Sequence, residues 1–176
     1  MNSGVRTKLV YEDLASIPPD GKRYELLDGD LHVTAAPKTR HQRAVGELFV
    51  ILREYFTPPK VLLAPCDVIL SERDVVEPDL IVVKDQSQVA EHGVLGPPLV
   101  VVEVLSQETA HFDRTVKAPF YAKHGIPHYW IVDPDDQRVE CFTLEGNTYQ
   151  LAGACAGAET FAHPDFPDLS LAGLWK

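Results

Sequence analysis

Hydrophobic positions follow two different periods along this chain. Between residues 41 and 56 the apolar residues recur at helical spacing, which predicts an amphipathic helix that Thr39 would cap and Pro58-Pro59 would end. A shorter amphipathic stretch covers residues 10–17. Elsewhere, short apolar runs bounded by turn residues predict strands at residues 24–27, 31–34, 61–63, 68–70, 75–83, 99–105, 128–132, 139–144, 148–151 and 159–161.

A second helix is predicted over about residues 109–124, with Gly125 as the residue that ends it. Pro119 lies inside this segment and has no N–H to donate, so we expect a kink or a late start of the helix. Asp28-Gly29 predicts the turn of a hairpin near the N-terminus. Strands and helices mix along the chain without a repeat or a linker, which indicates a single α/β domain over residues 1–176.

Two of the predicted strands each contain a carboxylate inside a run of valine, leucine and isoleucine. Asp79 lies in the first of them and Glu103 in the second. An ionised carboxylate buried in such a strand costs several kcal/mol unless it is paired or binds a cation. Two together predict a divalent metal site, since Mg²⁺ prefers carboxylate oxygens. For each acid alone, an exposed strand end or a bond to a neighbouring helix is the commoner arrangement.

The predicted helix after Glu103 carries Asp113, Arg114 and Lys117. Asp113 and Lys117 are four residues apart and share a helix face. At the surface they would form a weak ion pair. Near the strand ends, Lys117 would instead steady a phosphate or a water nucleophile. The spacing leaves both alternatives open.

A basic turn opens the first long helix, with Lys38, Arg40 and Arg43 placed around His41. A helix N-terminus with cations nearby is suited to phosphate. A solvated basic turn, with His41 in a local hydrogen bond, is the simpler alternative.

Charge and cysteine content narrow the function classes. The net charge of −10 argues against a general binder of polyanions but permits a local basic cleft. No apolar stretch approaches the roughly 20 residues that a membrane span needs, and the first eight residues lack the apolar segment of an export signal. Three widely spaced cysteines, Cys66, Cys141 and Cys155, indicate reduced thiols and a cytoplasmic protein.

Several segments taken together resemble one known family. They are EPDL at 77–80, GPPLVVVEVLS at 96–106, Asp113 with Lys117 and Tyr121 at spacings of four, and GIPHYWIVD at 125–133. YELLDG at 24–29 and His41 match the family's N-terminal half. Over about residues 10–151 the chain resembles the Uma2 family of restriction-endonuclease-like proteins, most specifically over residues 103–133.

The resemblance implies a PD-(D/E)XK nuclease core, in which helices flank a mixed sheet, with an N-terminal hairpin and C-terminal antiparallel strands. It implies that Asp79 and Glu103, completed by Glu25, hold Mg²⁺ or Mn²⁺ for the hydrolysis of DNA. Lys117 would replace the motif lysine, whose usual place holds Leu105. The implied nucleic-acid contacts are His41, Arg40, Arg43, Asp113 and Arg114, and we expect a homodimer.

The chain departs from the family pattern at Leu99, which is commonly aspartate, and at Pro119, which is commonly a helix former. Two alternatives to an active nuclease therefore stay open. One is a nuclease fold that no longer cuts and binds DNA. The other is an interaction module whose C-terminal strands and apolar tail pack against a second copy. Convergence of Asp79, Glu103 and Lys117 on one cavity would favour the nuclease.

Overall fold

A computed structural model describes residues 7–58 and 60–176 of the protein. Residues 1–6 and Pro59 lie outside the described residues. The first group belongs to the N-terminal segment in which no export signal is predicted, and Pro59 belongs to the predicted end of the long helix. The α-helices are α1 Tyr11–Ala15, α2 Thr39–Tyr55, α3 Ala110–Phe112 and α4 Ala118–Lys123. A π-helical turn, Asp113–Lys117, joins the last two, and a 3₁₀ turn covers Gln86–Gln88. Within these residues, no helix is long and apolar enough to cross a membrane.

The described residues form twelve strands, which divide between two mixed sheets. They are β1 Arg23–Leu27, β2 Asp30–Thr34, β3 Val61–Leu63, β4 Val68–Ser71, β5 Asp74–Val76, β6 Leu80–Val82, β7 Val89–Ala90, β8 Gly93–Leu95, β9 Val100–Val104, β10 His128–Asp133, β11 Arg138–Glu145 and β12 Thr148–Ala156. The first sheet has the order β2-β1-β5-β4-β8-β7, and the second has the order β12-β11-β10-β9-β6-β3. In the second sheet β9 and β10 run parallel, and β11 and β12 extend it as an antiparallel pair. The predicted α/β fold is confirmed.

The predicted strand over residues 75–83 is wrong as a single element. It is two strands, because β5 pairs in the first sheet and β6 pairs in the second. The chain crosses between the sheets through Glu77, Pro78 and Asp79. Proline has no N–H for a strand ladder, so the crossing falls at this point of the apolar run. Asp79 therefore lies where the two sheets meet and not in the middle of a strand.

Alternation along β9 decides which side Glu103 faces. One face of β9 packs into the core under α2, and its residues there are Val100, Val102 and Val104. The opposite face contributes Val101 to a second core that contains Phe120 and Tyr121 of α4. Since side chains of a strand alternate between faces, Glu103 lies on the α4 side with Val101.

The helix after β9 is interrupted as Pro119 predicts. The π-helical turn ends directly before α4, which has Pro119 as its second residue, and the N–H of Ala118 bonds to the carbonyl of Asp113. At the other end Gly125 adopts φ 69°, and a pair of backbone bonds, Gly125 to Ala122 and Ile126 to Tyr121, closes the helix in a Schellman motif. The predicted role of Gly125 is confirmed.

The first long helix begins at Thr39, with Lys38 as its N-cap and no side-chain cap hydrogen bond. The predicted cap by Thr39 is therefore wrong, because that residue already lies inside the helix.

The C-terminal tail packs on its own chain. No strand forms at residues 159–161, so that prediction is wrong. The tail's apolar residues join the core under α2 and are Phe161, Phe166, Leu169, Leu171 and Leu174. The apolar surface that would have bound a second copy is therefore used within the chain. The three cysteines are free thiols.

Candidate active site

One small cleft collects most of the predicted site residues. It lies between the N-terminal end of α2, the end of β9 and the π-helical turn, and it encloses about 40 Å³, enough for an ion or a water. Predicted residues in its wall are His41, Asp79, Glu103, Asp113 and Lys117. Glu25 lies behind the wall, in contact with Lys117.

Asp79 is held by three hydrogen-bond donors. Arg23 Nη2 lies 2.8 Å from Oδ1, while His41 Nε2 lies 3.1 Å and the N–H of Val104 2.7 Å from Oδ2. Burial alone would raise the pKa of Asp79, but the hydrogen bond with His41 and the charge of Arg23 outweigh burial and lower it. Asp79 is therefore a carboxylate at neutral pH.

Lys117 is shared among three acids. Its Nζ lies 2.9 Å from Oε1 of Glu25, 2.9 Å from Oε1 of Glu103 and 3.9 Å from Oδ1 of Asp113. The side chain is only 4% exposed, so the surface alternative for the Asp113–Lys117 pair is excluded. Burial opposes the charge on Lys117, but the carboxylates of Glu103 and Glu25 raise its pKa above the ordinary value. This ammonium is a fixed positive charge.

Glu103 is held by two hydrogen-bond donors, and both are on the same oxygen. Its Oε1 accepts hydrogen bonds from Lys117 and from the hydroxyl of Tyr121, at 2.9 and 2.6 Å. Within residues 7–58 and 60–176 its Oε2 has no hydrogen-bond partner. Burial, together with the charges of Asp113 and Asp79, raises the pKa of Glu103 to about 8 despite Lys117.

Sequence reasoning missed two residues of the site: Arg23, which lies in the cleft wall, and Tyr121, which is buried behind the wall and bonds to Glu103. Besides Asp79, Arg23 binds Glu77, with Nε at 3.1 Å from Oε1. The N–H of Glu77 in turn donates to Oε1 of Glu25 at 2.9 Å, so this chain of contacts joins the two ends of the site. Tyr121 had a signal, since it follows Lys117 by four residues and so shares its helix face. Arg23 had none, because 56 residues separate it from Asp79.

Negative charge exceeds positive charge in this cluster, which is the basis for testing a metal. The acids are Glu25, Glu77, Asp79, Glu103 and Asp113, and the permanent cations are Arg23 and Lys117. Carboxylate oxygens with surplus negative charge suit a hard divalent cation. The donor chemistry therefore fits Mg²⁺ or Mn²⁺.

In this structure the acids of the site are paired with Arg23 and Lys117. In the part of the chain that the structure describes, the donor atoms of Glu25, Asp79 and Glu103 do not all lie within 4.8 Å of one another. Joint coordination of one cation by these three acids would therefore need their side chains to move from the positions seen here.

The five predicted nucleic-acid contacts do not lie together. Asp113 is buried beside Lys117, and His41 touches Asp79. Arg40 lies on the surface near the cleft, in an ion pair with Asp135. Arg43 lies farther along α2. Arg114 pairs with Glu140 at 2.6 Å and lines a separate groove, so it does not join the cleft.

The fold and the sequence both resemble those of known proteins. A solved structure described as a "putative nuclease belonging to DUF820 from Anabaena variabilis ATCC 29413" superposes with a TM-score of 0.74, covering 95% of this chain and 97% of that chain at 17% identity. No curated protein matches the sequence. The Uma2 family, described as "Putative restriction endonuclease", matches residues 11–173. The chain belongs to the Uma2 family.

Proposed function

We propose that this protein is a metal-dependent endonuclease that hydrolyses phosphodiester bonds in DNA. One observation carries the proposal. Asp79, Glu103 and Lys117 come from three separate segments and line one cleft, as the nuclease motif requires. Membership of a family described as "Putative restriction endonuclease" supports the same reaction class.

Asp79, Glu103 and Glu25 are the proposed holders of Mg²⁺ or Mn²⁺. The ion would act as a Lewis acid on the phosphate and lower the pKa of a water nucleophile. Arg23 and His41 keep Asp79 ionised and fix its orientation. Tyr121 orients Glu103 through its hydroxyl.

Lys117 has an electrostatic role in this proposal. Because the surrounding carboxylates raise its pKa, it keeps its proton at neutral pH and is not a general base. Its positive charge is available to the phosphate as negative charge develops there.

Location and assembly are further parts of the proposal. Free thiols at all three cysteines support a reducing compartment such as the cytoplasm. A homodimer stays a prediction, and it needs a surface other than the C-terminal tail, whose apolar side chains are buried.

Cleavage of plasmid and of single-stranded DNA tests the proposal. Wild type, Glu103→Gln and the exposed control Glu47→Gln would be compared with Mg²⁺, with Mn²⁺ and with EDTA. We expect metal-dependent nicking by wild type and by the control, and background cleavage by Glu103→Gln. Equal cleavage by all three proteins would show that Glu103 is not in the active site. No cleavage by wild type with either metal would favour a nuclease fold that only binds DNA.

Mn²⁺ binding by calorimetry provides a readout that does not depend on cleavage. Wild type and Glu47→Gln should bind the ion, and Glu103→Gln should bind it more weakly. Equal binding by Glu103→Gln would contradict the proposed ligand set.

A further inference from the structure

A furrow continues from the cleft along the N-terminal end of α2. Its first part shares Lys38, His41 and Ser106 with the cleft. Its second part shares Arg40 with the first and reaches Trp175. Because each part has wall residues in common with the next, the three cavities form one continuous course from the cleft to Trp175.

The charge of the furrow is opposite to that of the whole chain. The furrow contains Lys38, Arg40 and Arg43, whereas the protein carries a net charge of −10. The first turn of α2 has no acidic residue, and its N-cap, Lys38, makes no side-chain cap hydrogen bond. Cations at this end oppose the helix dipole, and an anion bound there would relieve that cost.

The cations of the furrow are available to a ligand. Lys38 pairs with Glu108 and Arg40 pairs with Asp135, but all four side chains are more than half exposed. Such exposed pairs contribute little stability and exchange readily for a phosphate. Across residues 7–58 and 60–176, Arg43 makes no ion pair.

His41 supplies an independent sign of a missing ligand at the junction of cleft and furrow. Its side chain is 10% exposed, with Nε2 placed 3.1 Å from Asp79. Its Nδ1 is buried and has no hydrogen-bond partner. A buried polar atom without a partner costs free energy. A hydrogen-bonding group of a ligand bound at this junction would give Nδ1 a partner.

Trp175 gives the far end of the furrow an aromatic face. Its indole is partly buried against the core and also lines the furrow. A base of a single strand stacks on such a face, and the flanking phosphates meet the cations. A paired base in a duplex has its faces covered by its neighbours.

From these features we infer that a single nucleic-acid strand leaves the cleft along the furrow. Its phosphates contact Lys38, Arg40 and Arg43, and one base stacks on Trp175. This inference rests on the proposed function, since it places the strand to be cut. It names the part of the substrate that the protein grips outside the reacting bond.

Binding in EDTA tests the furrow without cleavage. A fluorescent single-stranded oligonucleotide would be titrated with wild type, with Arg40→Ala/Arg43→Ala, and with Arg53→Ala/Arg73→Ala, a control that removes two exposed charges outside the furrow. Each lost phosphate contact lowers the slope of log affinity against log salt by about 0.7 on single strands. We expect the slope of the furrow variant to fall by about 1.4, and the control to keep the wild-type slope.

Tryptophan fluorescence tests the stacking. The chain has two tryptophans, and Trp130 is fully buried, so quenching on binding reports Trp175. Trp175→Leu should lose both the quenching and part of the affinity. Single-stranded DNA, single-stranded RNA and a duplex of the same length would be compared to identify which kind of nucleic acid binds. Tighter binding of the duplex than of either single strand would overturn the inference.

The outcomes separate the furrow from the proposed function. Cleavage by wild type with no change of affinity in either furrow variant would overturn the furrow and leave the nuclease intact. Weaker binding by the furrow variants in a protein that never cleaves would support the furrow and remove the nuclease. No binding of any oligonucleotide by wild type would overturn the inference.

Discussion

Asp79 and Glu103 line the same cleft and are held in opposite ways. Asp79 has a donor on each oxygen, and its pKa is lowered. Glu103 shares its lysine with two other acids, and its pKa is raised to about 8. The two acids are equally buried. Neighbouring hydrogen-bond donors and charges, and not the depth of burial, therefore decide which of the two acids carries a proton.

Because of this difference, the two acids would contribute differently to the binding of a cation. Asp79 is already ionised and oriented, so it offers a preformed ligand. Glu103 has to give up a proton or its contact with Lys117. Metal affinity should therefore rise with pH, as is general where ligands must lose protons.

Removing the shared cation should have the largest effect. Lys117→Met leaves Glu25, Glu103 and Asp113 without a compensating charge, so we expect a loss of about 3–5 kcal/mol in the free energy of unfolding. Urea unfolding in EDTA at neutral pH measures it. The exposed control Lys123→Met should change stability by less than about 0.5 kcal/mol. Equal stability of the two variants would mean that the three acids are already neutral.

The second effect is on the pH dependence of stability. The folded-state pKa of Glu103, about 8, lies above its ordinary 4.5. Between these values the folded protein holds a proton that the unfolded chain has lost, so the free energy of unfolding falls as pH rises. The contribution is at most about 1.4 kcal/mol per pH unit. Glu103→Gln should remove this decline in urea unfolding between pH 5 and 8 in EDTA, whereas Glu47→Gln should keep it.

Asp79 should contribute a pH dependence of stability with the opposite sign to that of Glu103. Its folded-state pKa lies below the ordinary 3.8, so its contribution to stability is present above that value and is lost as pH falls below it. A decline of wild-type stability toward high pH that survives in Glu103→Gln would contradict the contrast between the two acids.

Substitution of Tyr121 should lower the free energy of unfolding by a smaller amount. Tyr121→Phe removes a hydrogen bond to Glu103 and should cost about 1.5–3 kcal/mol where that acid is ionised. It should also raise the pKa of Glu103 further, so the loss grows as the pH rises through about 8, where Glu103 ionises in wild type. Tyr149→Phe removes a hydrogen bond to the carbonyl of Ile126 and is the matched control. A loss of stability that does not depend on pH in either variant would show that Tyr121 does not affect the ionisation of Glu103.

The smallest effect should be at Arg114, outside the cleft. Arg114→Ala removes a partly exposed ion pair with Glu140, and we expect a change of less than about 1 kcal/mol. DNA cleavage should equal that of wild type. A large loss of cleavage without a loss of stability would return Arg114 to the nucleic-acid contacts that the resemblance implies.

The sequence predicts the site best where one segment contains the signal. Glu103 interrupts a run of valines, and Gly125 follows a helical pattern, so their environments could be predicted locally. The break at Glu77-Pro78 could not, because an apolar run does not reveal that its halves join different sheets. Pro78 marks a point where a strand ladder is interrupted, but it does not show that the chain changes sheets there.

The partners of the acids were harder to predict. Arg23 is 56 residues from Asp79, and only the folded chain brings them together. Tyr121 has the spacing of a core aromatic, and it is one, but its hydroxyl also reaches Glu103. Burial of Lys117 depended on the π-helical turn, which the position of Pro119 suggests only as a disturbance of the helix.

The bond from the N–H of Val104 to Asp79 connects the site with the pairing of the sheet. Glu103 faces α4 only in the native register of β9, and a slip by one residue would turn it toward the core under α2. The same slip would remove the Val104 N–H from Asp79. A mispaired chain therefore loses both acids at once, so the cleft has no half-assembled form. Only molecules whose central strands have paired correctly can display a charged centre.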